Sequence, residues 1–262
     1  MSKGDKAMTG AVKLRIDGSL ARLTLARAER LNALTAAMLA AIDDACARLE
    51  EADEVRVVLV DSANAKAFCA GADIGEWGAL PAQDMWRRWT RAGHRVFERL
   101  ATLPQPTIAQ VHGIAFGGGL ELALACDLRL ATPEALFAMP EVQVGAIPGW
   151  GGTRRLTRLI GASRTKQMIF RALRVDAGTA LAWGLVDEVV AAPDLARRAE
   201  AIAGEIAAGA PGAVRIAKQL IDGRAGGLDP ETLAAGLAAS LEDAREGIAA
   251  FKAKRPPRFT GR

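Results

Sequence analysis

The chain has 262 residues, half of them apolar and 24% charged, with 34 basic against 30 acidic side chains. That length can fill one large domain, or one domain with an appendage, around a sizeable core. A net charge of +4 is too balanced for a nucleic-acid-binding arm but suits an anionic small ligand.

Residues 1–10 are small and polar, and are expected to fray. Residues 12–16 and 20–25 alternate apolar and polar around Asp17-Gly18, which predicts a hairpin. Thr35 is placed to cap a helix over 36–51, with Met38, Ile42 and Leu49 on one face. Residues 55–60 form a β-branched run, read as a buried strand. Residues 77–103 read as mostly helical, broken at Pro81. A strand follows at 107–111, then a glycine turn and a helix through Leu124. Short strands are predicted at 127–131 and 136–139, and helices at 151–160 and 163–172. Strand, strand, helix, repeated with variation, predicts a layered α/β core. After Ala192 the pattern turns helical over 194–208, 213–222 and 229–251, with breaks at Pro211 and Gly226-Gly227. The expected division is a core over 12–192 and a helical C-terminal region over 193–262.

Cys46, Cys69 and Cys126 are odd in number, far apart and without a CxxC pair, which suggests free thiols in a reducing compartment. Residues 1–20 hold no secretory apolar stretch, and the chain holds no 18-residue apolar run. The expectation is a cytoplasmic protein without a membrane partner. His94 and His112 are the only histidines and no acidic cluster has ligand spacing, so no metal is expected.

Two glutamates stand out because each follows a glycine-rich turn. Glu121 ends Gly117-Gly118-Gly119-Leu120-Glu121. Glu141 lies in Met139-Pro140-Glu141, ahead of Ile147-Pro148-Gly149-Trp150-Gly151-Gly152. A third turn, Phe68-Cys69-Ala70-Gly71-Ala72-Asp73-Ile74, precedes both. Glycines between a strand and a helix let the backbone approach a ligand and leave the first helical N–H groups without partners. No Lys-Ser/Thr follows the glycines and no GxGxxG is present, which argues against a phosphate cradle of those kinds. Two carboxylates beside turns that bare their N–H groups suit proton transfer next to an oxyanion.

These segments together resemble the crotonase (enoyl-CoA hydratase/isomerase) superfamily. The resemblance rests on Arg30-Leu31-Asn32-Ala33-Leu34, Ala67 to Ile74, Gly117 to Ala123, Pro140-Glu141 and Gly145-Ala146-Ile147-Pro148-Gly149. Ala180-Leu181-Ala182-Trp183-Gly184-Leu185-Val186 and the tail Phe251-Lys252-Ala253-Lys254-Arg255 extend it, so that it spans residues 12–262. It implies an α/β fold of repeated ββα turns with a helical C-terminal trimerisation region, an acyl-CoA substrate, and a homotrimer or homohexamer. Carried over by position, the N–H groups of Ala72 and Gly118 would form an oxyanion hole. Glu121 and Glu141 match the two acids of the hydratases, and retention of both favours hydration over isomerisation. By the same resemblance Glu141 would exchange a proton with the α-carbon while Glu121 orients water at the β-carbon. Coenzyme A would lie near Arg30, Leu31, Ala70 and Ile74, with Lys252 reaching it from the tail. No further cofactor is implied, since coenzyme A is part of the substrate. The chain departs from the family pattern at Gly75, where many members carry lysine. It departs again at Trp150, where a small residue is usual; this indole would either narrow the acyl pocket or simply pack.

Trp77, Trp86 and Trp89 sit on the predicted helix beside the acyl site, and packing is the expected role for at least two of them. Basic and aromatic residues interleave over 87–95, but a solvated helix face accounts for that tract without nucleic acid. Two alternatives to a hydratase are carried forward. One is an isomerase or another crotonase-type enzyme. The other is a catalytically idle RNA-binding or scaffold member.

Overall fold

The computed structural model describes residues 11–223 and 230–262. The chain opens with the expected hairpin. β1 (Val12–Asp17) and β2 (Leu20–Leu25) pair antiparallel, with Gly18 at φ +57° in the turn. Alternation decides the faces: Val12 and Leu14 point inward, Lys13 and Arg15 outward. Thr35 caps α1 (Ala36–Glu50), its Oγ1 accepting from the Met38 N–H at 3.1 Å, and Met38, Ile42 and Leu49 are buried.

From there the chain climbs through two sheets. β3 (Val57–Ser62), β5 (Thr107–Val111) and β7 (Leu128–Ala131) pair parallel in a six-stranded sheet of order β1-β2-β3-β5-β7-β10, closed by β10 (Glu188–Val189). β4 (Ala67–Cys69), β6 (Ile114–Phe116) and β8 (Leu136–Ala138) pair parallel in a second sheet, edged by antiparallel β9 (Val175–Asp176). Each turn of the spiral lays one strand into each sheet and then adds helix. α2 (Ile74–Trp77), α3 (Ala82–Asp84) and α4 (Arg91–Ala101) follow β4; α5 (Gly118–Leu124) follows β6; α6 (Gly152–Phe170) follows β8. This is the repeated ββα unit expected from the sequence. Period-two reasoning did not resolve β4 and β6, because three residues carry too little alternation.

Helix boundaries differ from expectation in three places. Between α3 and α4 the residues Met85–Thr90 form a π-helical segment, so the chain after Pro81 is one continuous, locally underwound helix. The helices predicted at 151–160 and 163–172 merge into α6, kinked where Gly161 adopts φ +79°. The single helix predicted at 229–251 is two, α10 (Pro230–Ser240) and α11 (Glu242–Lys252), because Leu241 is extended between them. Residues 1–10, the Gly226-Gly227 break and Asp229 lie outside the described residues.

After α7 (Ala177–Trp183), α8 (Leu195–Ala207) lays Leu195, Ala199 and Ala203 on Val57, Leu59, Ile108 and Leu130 of the larger sheet. α9 (Pro211–Ile221) is pinned by a buried lysine. Lys218 Nζ donates to Asp127 Oδ2 at 2.7 Å and to the Gln105 carbonyl at 3.0 Å. On this helix Ala213 and Ala217 remain exposed, and Ile216 and Leu220 are only half-buried. The tail folds back onto α11, where the Asp243 carboxylate accepts from the N–H groups of Thr260 and Gly261 at 2.7 and 2.8 Å.

Candidate active site

β4 and β6 are parallel neighbours, so the turns that leave them emerge side by side. In the first turn the Leu34 N–H donates to the Gly71 carbonyl at 2.7 Å, and the Asp73 N–H to the Leu34 carbonyl at 2.8 Å. This bridge turns the Ala72 N–H to the opposite side. Arg27 braces it from below, donating to Asp73 Oδ2 at 2.6 Å and to the Ala33 carbonyl at 2.7 Å. In the second turn Gly117 takes φ +51°, ψ −125°, a conformation that favours glycine. Gly118 then opens α5. Neither the Ala72 N–H nor the Gly118 N–H donates to an acceptor among the described residues. They also lie close together: a Cβ on Gly118 would sit 3.3 Å from the Ala72 nitrogen.

The two glutamates face this pair in different surroundings. Glu121, in the first turn of α5, is 2% exposed. Its Oε1 accepts from the Trp150 N–H at 2.7 Å and the Gly152 N–H at 2.8 Å, the donors that start α6. Burial nevertheless outweighs these bonds and raises its pKa above the usual carboxylate range. Glu141 follows Pro140 at the end of β8. Both its carboxylate oxygens are buried, and neither has a hydrogen-bond partner among the described residues. Burial pushes its pKa from 4.5 to about 7, and the charge of Glu121 adds to the rise. A Cβ on Gly117 would lie 3.0 Å from Glu141 Oε1, so the acid reaches over the second turn.

One cavity of about 310 Å³ brings together Ala70, Ala72, Ile74, Gly118, Glu121 and Glu141. Of the nine residues singled out from the sequence, Arg30, Leu31 and Lys252 do not line it. Leu31 is one hydrogen bond away, its carbonyl accepting from the Ala70 N–H at 3.0 Å, and Arg30 is exposed beside it. Lys252 is exposed at the end of α11. The sequence did not single out the N–H groups of Trp150 and Gly152 as the anchors of Glu121. Their signal was present in Gly151-Gly152, since a side chain at Gly152 would meet Glu121 Cγ at 2.7 Å.

The aromatics divide. Trp77 and Trp89 line the cavity, Trp89 being buried, whereas Trp86 is exposed with the Arg87 guanidinium 5.0 Å from its ring centre. Trp150 packs, and it also borders the cavity. It lines the cavity and is 3% exposed, with Trp89 and Phe97 at ring-centre distances of 5.5 and 5.2 Å. The three cysteines are buried free thiols, each pushed by burial to about 12, so none is poised as a nucleophile. No group of three or more His, Cys, Asp or Glu side chains is placed to hold a metal ion among the described residues. Nor is any described helix long and apolar enough to cross a membrane.

A spiral of ββα turns with adjacent bare N–H groups beside two buried carboxylates places the protein among crotonase-fold enzymes. The chain belongs to the enoyl-CoA hydratase/isomerase family, whose model matches residues 15–262. It is 40% identical over 249 residues to the short-chain-enoyl-CoA hydratase of Clostridium acetobutylicum, covering 93% of this chain and 95% of that one. It is 36% identical to the crotonyl-CoA hydratase of Syntrophomonas wolfei, over 94% of this chain and 96% of the other. Among solved structures, the enoyl-CoA hydratase of Bacillus anthracis superposes with a TM-score of 0.91 at 36% identity, covering 97% of this chain and all of that one.

Proposed function

We propose that the protein adds water across the 2,3 double bond of a 2-enoyl-CoA thioester, giving a 3-hydroxyacyl-CoA. The observation that carries this reading is the placement of two carboxylates on one cavity with the bare N–H groups of Ala72 and Gly118. The thioester carbonyl sits between those N–H groups, which stabilise the enolate oxygen as charge moves onto it. Loss of one such donor typically costs about 2.7–4 kcal/mol. Glu121, fixed by two backbone donors, orients water at the β-carbon and takes its proton as the oxygen–carbon bond forms. Glu141, pushed up to about 7, holds a proton near neutrality and delivers it to the α-carbon. Solvent exchange resets both acids.

Coenzyme A runs outward past Ala70 and Ile74 toward Leu31 and Arg30, with Lys252 supplied by the tail. No cofactor beyond the coenzyme A of the substrate enters the scheme. The half-open apolar stripe of α9, with Ile221 77% and Phe251 86% exposed, supports assembly into a homotrimer or homohexamer. The decisive experiment follows loss of enoyl-thioester absorbance on crotonyl-CoA, with the product identified. Formation of 3-hydroxybutyryl-CoA is expected. A shifted double bond without uptake of water would replace hydration by isomerisation.

A further inference from the structure

We propose that Trp150 is the specificity-determining residue of the acyl pocket, ending it just beyond the reacting carbons so that the enzyme takes short-chain enoyl thioesters. This deepens the hydratase reading and rests on it for the position of the thioester.

The argument starts from the backbone of Trp150. Its N–H holds the carboxylate of Glu121, the group that faces the β-carbon, so its side chain leaves the backbone beside the place where the acyl tail begins. The indole then lies against the oxyanion turn: a Cβ on Gly118 would be 2.7 Å from Trp150 Cζ3. On its other side it fills a notch in α4. A Cβ on Gly93 would overlap the indole, so only glycine there leaves room for it. Trp89 and Phe97 close the remaining sides. Arg155 fixes the loop by donating to the Trp150 carbonyl at 2.9 Å. The indole is therefore a wedged wall and not a mobile gate. A chain extended past the β-carbon meets this wall of Trp150 and Trp89 inside a cavity of about 310 Å³. Replacing the indole by a smaller side chain opens the space between Gly118 and Gly93 while keeping the backbone N–H that positions Glu121.

The test compares wild type with Trp150→Leu and Trp150→Phe on 2-enoyl-CoAs of four, six, eight, ten and sixteen carbons. Binding of the saturated acyl-CoAs of the same lengths is measured in parallel. Each methylene that gains an apolar berth is worth about fourfold in affinity. The wild-type affinity should stop rising beyond the shortest chains. Trp150→Leu should extend the rise by two or three methylenes, about 15- to 60-fold, with Trp150→Phe between them. The change should fall mainly on KM, because the Glu121 anchor is a backbone group. The saturated series separates the two readings. If wild type hydrates none of the enoyl thioesters yet binds saturated chains with a cut-off that Trp150→Leu relaxes, the hydratase reading fails and the pocket assignment stands. A wild-type affinity that keeps rising to sixteen carbons overturns the assignment. So does a chain-length profile unchanged in both folded variants.

Discussion

Replacing Glu141 by glutamine should abolish most activity and at the same time stabilise the fold, increasingly so as pH rises. The carboxylate is buried with no hydrogen-bond partner for either oxygen among the described residues, and its pKa is lifted from 4.5 to about 7. Raising a carboxyl that far penalises its ionised form by about 3 kcal/mol in the folded state. The unfolded chain ionises near the ordinary value, so folding takes up a proton between the two. Stability from this group is therefore retained below 4.5 and lost as pH rises through about 7, the full penalty applying only above that. Glutamine carries no charge to penalise. The stability difference, Glu141→Gln minus wild type, should thus grow by about 2.5 kcal/mol between about pH 5 and about pH 8.5. Any pH-independent cost of the amide cancels in that comparison. Urea unfolding at several pH values and one fixed protomer concentration is the assay, since assembly would otherwise move the midpoint. A difference flat in pH would show that Glu141 titrates like an ordinary carboxyl and would refute the reasoning. The same titration should appear in catalysis. In the proposed scheme hydration needs Glu141 protonated, so it should decline above about pH 7, whereas dehydration of the 3-hydroxyacyl product should rise through it.

Glu121→Gln should cut hydration by about 10²–10⁴-fold with little effect on coenzyme A binding; near wild-type turnover of crotonyl-CoA would remove Glu121 from the scheme. Gly119→Ala should destabilise by about 1–3 kcal/mol, because its Cβ would drive into the Cys69 carbonyl where β4 meets α5. Urea unfolding checks this, and a loss below about 0.5 kcal/mol would mean the two turns can part freely. The exposed Ile221, Ile248 and Phe251 should be covered by neighbouring protomers; light scattering should return three or six times the chain mass, and a fully active monomer at micromolar concentration would defeat that expectation.

The parts of the fold that the sequence made legible are those with enough length to display a period. The hairpin, α1 and β5 each carry five residues or more of clear pattern, and each formed within a residue or two of its expected place. β4, β6 and β8 have three residues each, and only the third was anticipated. Their pairing is instead a product of the spiral, which the larger sheet dictates by stacking β3, β5 and β7 in register. α9 (Pro211–Ile221) formed where a helix was expected, but what pins it was not legible: Lys218 is buried on it, because Asp127 and the Gln105 carbonyl satisfy a charge that the core would otherwise reject. An ion pair between residues so far apart along the chain leaves no periodic trace.

The site shows the same division between local and distant causes. Glu121 and Glu141 were visible because glycine turns are local, but what separates their environments is not. Glu121 draws its two hydrogen bonds from the start of α6, about thirty residues further on, and its carboxylate is fixed there by backbone that no side-chain replacement at Trp150 removes. Glu141 receives no such bonds among the described residues, and burial lifts its pKa to about 7. In the proposed scheme these surroundings suit two identical side chains on one cavity to different tasks, Glu121 steering water and Glu141 carrying a proton to carbon. In the same proposal Trp150 links these tasks to the choice of substrate. Its N–H holds the Glu121 carboxylate and its indole is the proposed acyl wall, so chain length should be alterable through the side chain while that carboxylate stays where the backbone puts it.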